Sequence, residues 1–148
     1  MKKAFLFVVF FLLLFSISAL AQSPPLPGMT NAIIYVDNFM GSGKMALSGD
    51  VISFKRDSLK FRIQGKDFDY SGHFSIFLAT PRQHKNPYFG FGSPETAKLL
   101  IMEDFFKGQT DGAAPIQNAT IWEKSEGYIV ATGMGKEWIH SGPYTIQN

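Results

Sequence analysis

Residues 39–50, which read FMGSGKMALSGD, contain a Gly-Ser-Gly-Lys run that invites comparison with the phosphate-binding loops of nucleotide enzymes. Such loops read G-x-x-x-x-G-K-[ST], where the first glycine opens the loop and the final hydroxyl contacts magnesium. Asn38 stands here in the place of the first glycine, and Met45 follows Lys44 where the hydroxyl is needed. Because glycine adopts positive φ at little steric cost, the run predicts a turn between two strands.

The other residue types that support catalysis or metal binding are scattered along the chain. His73, His84 and His140 form no His-x-His pair and no His-Glu-x-x-His run, so we expect three surface histidines and no metal site. The sequence has no Gly-x-Ser-x-Gly motif. It has no cysteine either, which excludes a thiol nucleophile, thiolate ligands and disulfides. We expect no cofactor.

Two pairs of carboxylates are candidates for metal binding or catalysis, and a hydrolase that uses acidic residues is the weaker alternative for the function. Asp67 and Asp69 alternate on one strand and could bind calcium, but a calcium loop needs more acidic ligands and a central glycine. Glu103 and Asp104 could act as general acid and base. Adjacent acids are also common on solvated surfaces, so we predict a protein that is not an enzyme.

Residues 81–94, PRQHKNPYFGFGSP, form the longest stretch of the domain without a convincing helix or strand pattern, and we place recognition there. Aromatic rings held by proline and glycine turns can stack on sugars or fill a partner's pocket, while cationic neighbours orient the ligand. The alternative is that these rings fold back and seal one end of the sheet. The predicted ligand-binding residues are Arg82, His84, Lys85, Tyr88, Phe89 and Phe91.

Residues 1–21 have the layout of a secretory signal peptide. Lys2 and Lys3 precede an uncharged apolar stretch that ends in the small-x-small triplet Ala19-Leu20-Ala21. We expect cleavage after Ala21 and export to the periplasm or the cell exterior, with no stable membrane span afterwards. An uncleaved anchor is the alternative, because the apolar stretch is close to the shortest that spans a bilayer.

The chain after the signal peptide is balanced in charge. Without Lys2 and Lys3 it has 12 basic residues against 12 acidic ones. This balance provides no basic surface for displacing counterions from a polyanion, so we expect no nucleic-acid partner. The composition of residues 22–30 indicates a proline-rich spacer. Residues 31–148 are predicted to form a single domain, whose core must be stable without disulfides.

Hydrophobic periodicity predicts that this domain is mainly β. Residues 50–65 alternate apolar and polar side chains on both sides of a bend at Arg56-Asp57, which indicates a hairpin. Residues 72–80 alternate in the same way, and a turn at residues 124–127 separates two further strands. We expect an antiparallel sandwich or small barrel of about seven to nine strands, with no repeat of 20 to 50 residues. The predicted core residues are Leu59, Phe61, Ile63, Phe74, Ile76, Trp122 and Tyr128.

Residues 93–108, SPETAKLLIMEDFFKG, depart from the strand pattern. Ser93 stands at an N-cap position, Pro94 at the first helical position and Gly108 just past the end. We therefore predict one helix over residues 93–108. The apolar residues wrap around most of the helical wheel, however, so a buried strand over residues 99–102 is the alternative.

Two functions of different classes remain beside the hydrolase. The first is an exported recognition module that binds a protein or a glycan through loops held on a rigid sheet. The second is a carrier barrel whose apolar interior holds a lipid-like small molecule.

Overall fold

The computed structural model of the chain describes residues 22–41, 43–84, 94–105 and 112–148. The signal-peptide prediction for residues 1–21 lies outside this described part.

The described residues form ten antiparallel strands in one sheet, in the spatial order β10-β6-β7-β8-β9-β5-β1-β2-β3-β4. The sheet does not close, because β10 and β4 stand at its two ends. The strands are β1 (Ala32–Val36), β2 (Met45–Lys55), β3 (Ser58–Ile63), β4 (Lys66–Ser71), β5 (Ser75–Leu78), β6 (Glu95–Phe105), β7 (Gly112–Ser125), β8 (Tyr128–Gly133), β9 (Lys136–Ser141) and β10 (Tyr144–Gln147).

The mainly β, antiparallel fold class predicted from the sequence is confirmed, and the architecture is sandwich-like. The predicted hairpin bend at Arg56-Asp57 connects β2 to β3, and Glu126-Gly127 connects β7 to β8. The strand count is ten rather than seven to nine, partly because a segment predicted to be helical is a strand.

The helix predicted over residues 93–108 is wrong for the part of that segment that the structure describes. Glu95–Phe105 is β6, which pairs with β7 on one side and β10 on the other. A capping residue contributes only about 1 kcal/mol, whereas a strand between two others gains two hydrogen-bonded ladders and burial on its faces. Leu100 and Met102 are fully buried at strand spacing. The apolar run all around the helical wheel thus indicated the strand alternative.

Two hydrophobic clusters lie on opposite faces of the sheet. Tyr128 and Val130 of β8 point into the first cluster, whereas Ile129 and Ala131 of the same strand point into the second. The first cluster includes Ile34, Val51, Leu59, Phe61, Phe74, Ile76, Tyr128, Val130 and Ile139. The second cluster includes Ala97, Leu100, Met102, Ile116, Ala119, Ile121, Ile129 and Ala131, with Tyr35, Trp138, Tyr144 and Ile146 packed against it.

All seven predicted core residues belong to the first cluster or pack against it. Ile63 and Trp122 are the two that are only partly buried. The proline-rich segment also reaches this cluster, because the Leu26 N–H donates to the Val51 carbonyl at 2.9 Å and Met29 is fully buried.

The two halves of the chain repeat the same five-stranded unit, with an offset of 70 residues from the register shifts of β2 and β7 onward. The first unit has the order β5-β1-β2-β3-β4, the second β10-β6-β7-β8-β9, and pairing of β5 with β9 joins them. The Gly72 N–H donates to the Asp57 carbonyl, and its counterpart Gly142 donates to Gly127 in the same way. Few residues are identical between the units and the period exceeds 50 residues, which explains why the sequence shows no short repeat.

Shared backbone irregularities support this duplication. Gln64-Gly65 and Met134-Gly135 both turn with positive φ at each residue, as a tight hairpin requires. β2 and β7 carry a register shift at corresponding places, between Val51 and Ser53 and between Ile121 and Glu123. We refer to residues 22–80 and 94–148 as the first and second repeat.

Candidate functional site

A cleft of about 450 Å³ opens at the ends of the strands, where three strand connections converge. Its walls come from the β1–β2 connection, the β4–β5 connection and the β9–β10 connection, together with Glu103 of β6. We call this space the cleft; the residues that line it are 35–38, 44, 70–75, 103 and 140–142. Its volume is within the range of small-molecule sites, and most of its side chains are polar.

The Gly-Ser-Gly-Lys run contributes to one wall of the cleft. It connects β1 to β2, so the predicted turn is confirmed; a strand follows it, not the helix that a phosphate-binding loop needs. The Asn38 N–H donates to the Gly43 carbonyl at 2.9 Å, and Lys44 Nζ lies 3.4 Å from the Asp37 carboxylate. The lysine of this run therefore pairs with an acid at the cleft.

Tyr70 fixes the first-repeat side of the cleft. Its hydroxyl donates to the His73 carbonyl at 2.8 Å and accepts from the Asp37 N–H at 3.1 Å. A second tyrosine, Tyr35, lines the cleft from β1. Burial raises the pKa of the Tyr35 phenol above its ordinary value of 10.0.

His140 occupies the position of Tyr70 in the second repeat, and it is only 2% exposed. Its Nε2 lies 3.0 Å from the Pro143 carbonyl and its Nδ1 lies 2.8 Å from Ser75 Oγ. Because a carbonyl only accepts, Nε2 carries the hydrogen, and a neutral imidazole then accepts the Ser75 hydroxyl hydrogen at Nδ1.

A hydroxyl, an imidazole and a carbonyl in this order can activate a serine as a nucleophile. Two observations favour a structural role instead. Ser75 and His140 are directly paired across β5 and β9, and both are buried. Tyr70 makes the same contact with the carbonyl three residues further along, through a phenol in place of an imidazole. In both repeats, the side chain at this position hydrogen-bonds the connection to the next strand and stabilises it.

The expectation of three surface histidines is wrong for His84 and His140. Only His73 is largely exposed, and its Nε2 lies 3.8 Å from the Asp57 carboxylate. The side chain of His84 is 4% exposed. No local apolar pattern in the sequence indicated that either histidine would be buried. Among the described residues no cluster of histidine and acidic side chains could hold a metal ion.

The acidic pairs lie apart from one another. Asp67 accepts from Arg62 Nε at 2.6 Å, and this hydrogen bond lowers the pKa of the Asp67 carboxyl. Asp69 is exposed on β4, and Glu103 Oε1 accepts from the Thr145 hydroxyl at 3.1 Å. The side chain of Asp104 lies outside the described part, so the hypothesis of an acid–base pair is not tested.

Two of the six predicted ligand-binding residues, Arg82 and His84, lie in the described part, and both contact Glu137. Arg82 donates to the Glu137 carboxylate through its backbone N–H, Nε and a terminal nitrogen, at 2.8, 2.9 and 2.6 Å. His84 Nε2 lies 3.2 Å from Glu137 Oε1, and its ring stacks on Trp122 with centroids 4.6 Å apart. We call Arg82, His84, Trp122 and Glu137 the Glu137 cluster.

The remaining four predicted residues, Lys85, Tyr88, Phe89 and Phe91, lie outside the described residues. Sequence reasoning missed Glu137, which has no exposed surface. The signal available was its inward position on β9, the strand that follows the Met134-Gly135 turn. Burial also raises the pKa of nearby Glu123, and the Arg82 charge lowers it in part.

The Glu137 cluster and the cleft lie at opposite ends of β9. Glu137 is near the start of the strand and Ser141 is at its end. At about 3.3 Å per residue the two regions are separated by roughly 13 Å. They therefore form two distinct candidate regions.

No protein-family model matches the chain, and neither curated proteins nor solved structures show a significant match to it. Within the described ranges, no helix has the length and apolar character needed to cross a membrane.

Proposed function

We propose that the chain is an exported, non-catalytic recognition module and that the cleft receives a polar ligand, either a glycan or a polar segment of a protein. The carrying observation is the cleft itself: loops from three connections surround a space of about 450 Å³ on a rigid sheet. Binding residues are commonly placed on loops that a scaffold positions in this way.

The chemistry of the walls supports a polar ligand. Asp37, Lys44 and Glu103 supply charged groups that can donate to or accept from hydroxyls, while Tyr35 supplies an aromatic ring. Aromatic faces beside hydrogen-bonding groups suit a sugar, which has an apolar face and a polar edge. A carrier of an apolar ligand would need a cavity within a hydrophobic cluster, whereas the cleft lies at strand ends.

The recognition loop predicted from the sequence, residues 81–94, is the other site hypothesis for the same module. Arg82 and His84 are engaged with Glu137, so neither is available without breaking contacts of a buried carboxylate. The cleft residues Lys44 and Asp37 are more exposed, with 32% and 47% of their side-chain surface accessible. This difference favours the cleft.

A titration with neutral mono- and oligosaccharides, followed by backbone amide shifts, tests the proposal. We expect shifts at Asn38, Gly72 and Gly142, and weaker binding by the double variant Asp37→Ala with Lys44→Ala. The matched control is Glu95→Ala with Lys124→Ala, which removes another exposed ion pair away from the cleft. Shifts confined to residues 81–84 would transfer the function to the loop, and a bound lipid seen by native mass spectrometry would support a carrier.

A further inference from the structure

The terminal strand β10 has one free edge in the described part of the chain. It pairs there only with β6, whereas its counterpart β5 pairs with β1 on one side and β9 on the other. The edge of β5 that β9 occupies therefore corresponds to the edge of β10 that is open in the described part of the chain.

The direction of the backbone groups identifies which residues form this edge. The Pro143 carbonyl accepts from the Glu103 N–H at 2.9 Å and therefore faces β6. Because successive residues of a strand alternate in direction, the N–H and carbonyl groups of Tyr144 and Ile146 face away from β6. At the counterpart position, the Phe74 carbonyl accepts from the Ser141 N–H of β9 at 2.8 Å.

The two edge strands of the sheet, β4 and β10, differ in the charge of their side chains. β4 carries Lys66, Asp67 and Asp69, and charges of this kind protect an edge strand from pairing with other chains. β10 reads Tyr-Thr-Ile-Gln and has no charge. Ile146 and Tyr144 are half-buried and extend the second hydrophobic cluster to this edge.

We propose that β10 is a docking edge for an extended segment of a partner protein that pairs antiparallel with it and places an apolar side chain against Ile146. The pairing of β9 with β5 defines this chemistry: Ile139 lies opposite Ile76, the counterpart of Ile146, and is fully buried. Main-chain hydrogen bonds supply the affinity, and the inward side chain supplies the selectivity. None of the residues of β10 lines the cleft, so the proposal stands apart from the proposed function.

The β4 edge of a second copy is not the occupant we propose. The β4 edge of a second copy, docked as β9 docks on β5, would place Asp69 in the position of Ile139. A carboxylate would then lie against Ile146 and the second cluster with no partner there. Burial of an unpaired charge is costly enough to disfavour this pairing.

A synthetic peptide of residues 135–142, GKEWIHSG, serves as the probe because it is the segment that docks on β5. Amide hydrogen exchange of the purified protein is measured with and without the peptide. We expect exchange to slow at least tenfold at Tyr144 and Ile146, but not at Thr145 and Gln147, whose N–H groups face β6. The same peptide with Ile139→Asp should protect neither amide.

Two protein variants complete the test. Ile146→Pro removes an N–H that faces away from β6 and should abolish protection by the peptide at the remaining outward amide, that of Tyr144. Asp69→Pro removes an N–H at the other free edge and should leave protection at β10 unchanged. Unchanged exchange at Tyr144 and Ile146 with the peptide, or equal protection by the Ile139→Asp peptide, would overturn the proposal. Protection of the Tyr144 and Ile146 amides without the peptide would also overturn the proposal. Protection that depends on protein concentration would indicate a second copy at this edge, and protection that does not would indicate another segment of the same chain.

Discussion

Arg82 lies against Glu137 so that a fully buried carboxylate receives three hydrogen bonds from one residue. The two residues are 55 positions apart, and they join the segment after β5 to the start of β9. This ion pair therefore connects the segment that follows the first repeat to the second repeat, at the end of the β5–β9 junction that is remote from the cleft.

Arg82→Ala should lower the free energy of unfolding by about 3–5 kcal/mol, because it removes the guanidinium and two of the hydrogen bonds of a buried carboxylate. Glu137 then keeps only the backbone N–H of residue 82 and His84 Nε2 as partners. Urea denaturation measures the change. The control is Lys124→Ala, which breaks an exposed pair with Glu95 and should cost about 0–1 kcal/mol. Equal effects of the two substitutions would show that the Glu137 carboxylate is solvated in solution.

Phe61→Ala and Phe74→Ala should each lower the free energy of unfolding by roughly 3–5 kcal/mol, since both rings are buried in the first cluster. Met134→Ala is the matched control, because Met134 is 79% exposed and its loss should leave stability almost unchanged. The midpoint of thermal unfolding compares the three variants. A midpoint within error of the parent for either phenylalanine variant contradicts the cluster assignment.

Much of the sheet was predictable from period-two alternation. Residues 50–65 gave the β2–β3 hairpin because both strands have one polar face, and Phe61 and Phe74 fell on the apolar side. β6 was not predictable in this way, because apolar side chains occupy both of its faces over residues 99–102 and the alternation disappears. Leu100 and Met102 are both fully buried on one face of the strand. Their neighbours Leu99 and Ile101, on the other face, are also apolar, so the sequence shows no alternation.

The candidate site was less predictable than the fold. Glu137 and the cleft depend on pairing of β5 with β9, which brings together residues more than 50 positions apart. Local patterns carry no information about such a pairing. The Gly-Ser-Gly-Lys run was correctly assigned to a turn, but nothing near it in the sequence indicated that Lys44 would meet Tyr70 and His140 at one cleft.

The stability contributed by the Asp67–Arg62 pair should disappear in acid. The pKa of Asp67 is lowered in the folded protein, so its contribution is present above the ordinary aspartate value of 3.8 and is lost as the pH falls through the lower folded value. The difference in stability between the parent and Asp67→Asn should accordingly shrink below about pH 4.

Unfolding curves between pH 3 and pH 6 measure this difference. Arg62→Ala removes the first cause of the shift, so Asp67→Asn in that background should show little pH dependence. A difference that stays constant across the range would contradict the coupling of Asp67 to Arg62.

Gly142→Ala should displace the His140 ring, because an added Cβ would lie 2.9 Å from Nε2. The ring would lose its hydrogen bond to the Pro143 carbonyl, at a cost of about 1–3 kcal/mol if the nitrogen stays buried without a partner. Imidazole nitrogen chemical shifts report this loss directly.

Gly135→Ala separates steric contact from backbone strain. Gly135 has a φ of 75°, but an added Cβ there meets nothing within 4 Å. We expect this variant to be destabilised by about 1–2 kcal/mol while the His140 signals keep their shifts. Displaced His140 signals in Gly135→Ala would show that the ring responds to general destabilisation and not to Gly142.

The junction of β5 with β9 also restricts the order in which the chain can fold. Ser75 precedes its partner His140 by 65 residues. During synthesis, β5 therefore cannot pair with β9 until most of the second repeat has been made. Tyr128, Val130 and Ile139 complete the first cluster, and all three lie in the last 25 or so residues of the chain. A nascent chain that stops before β8 therefore keeps apolar surface of its first repeat uncovered, and the last strands to be made decide when the earliest ones become stable.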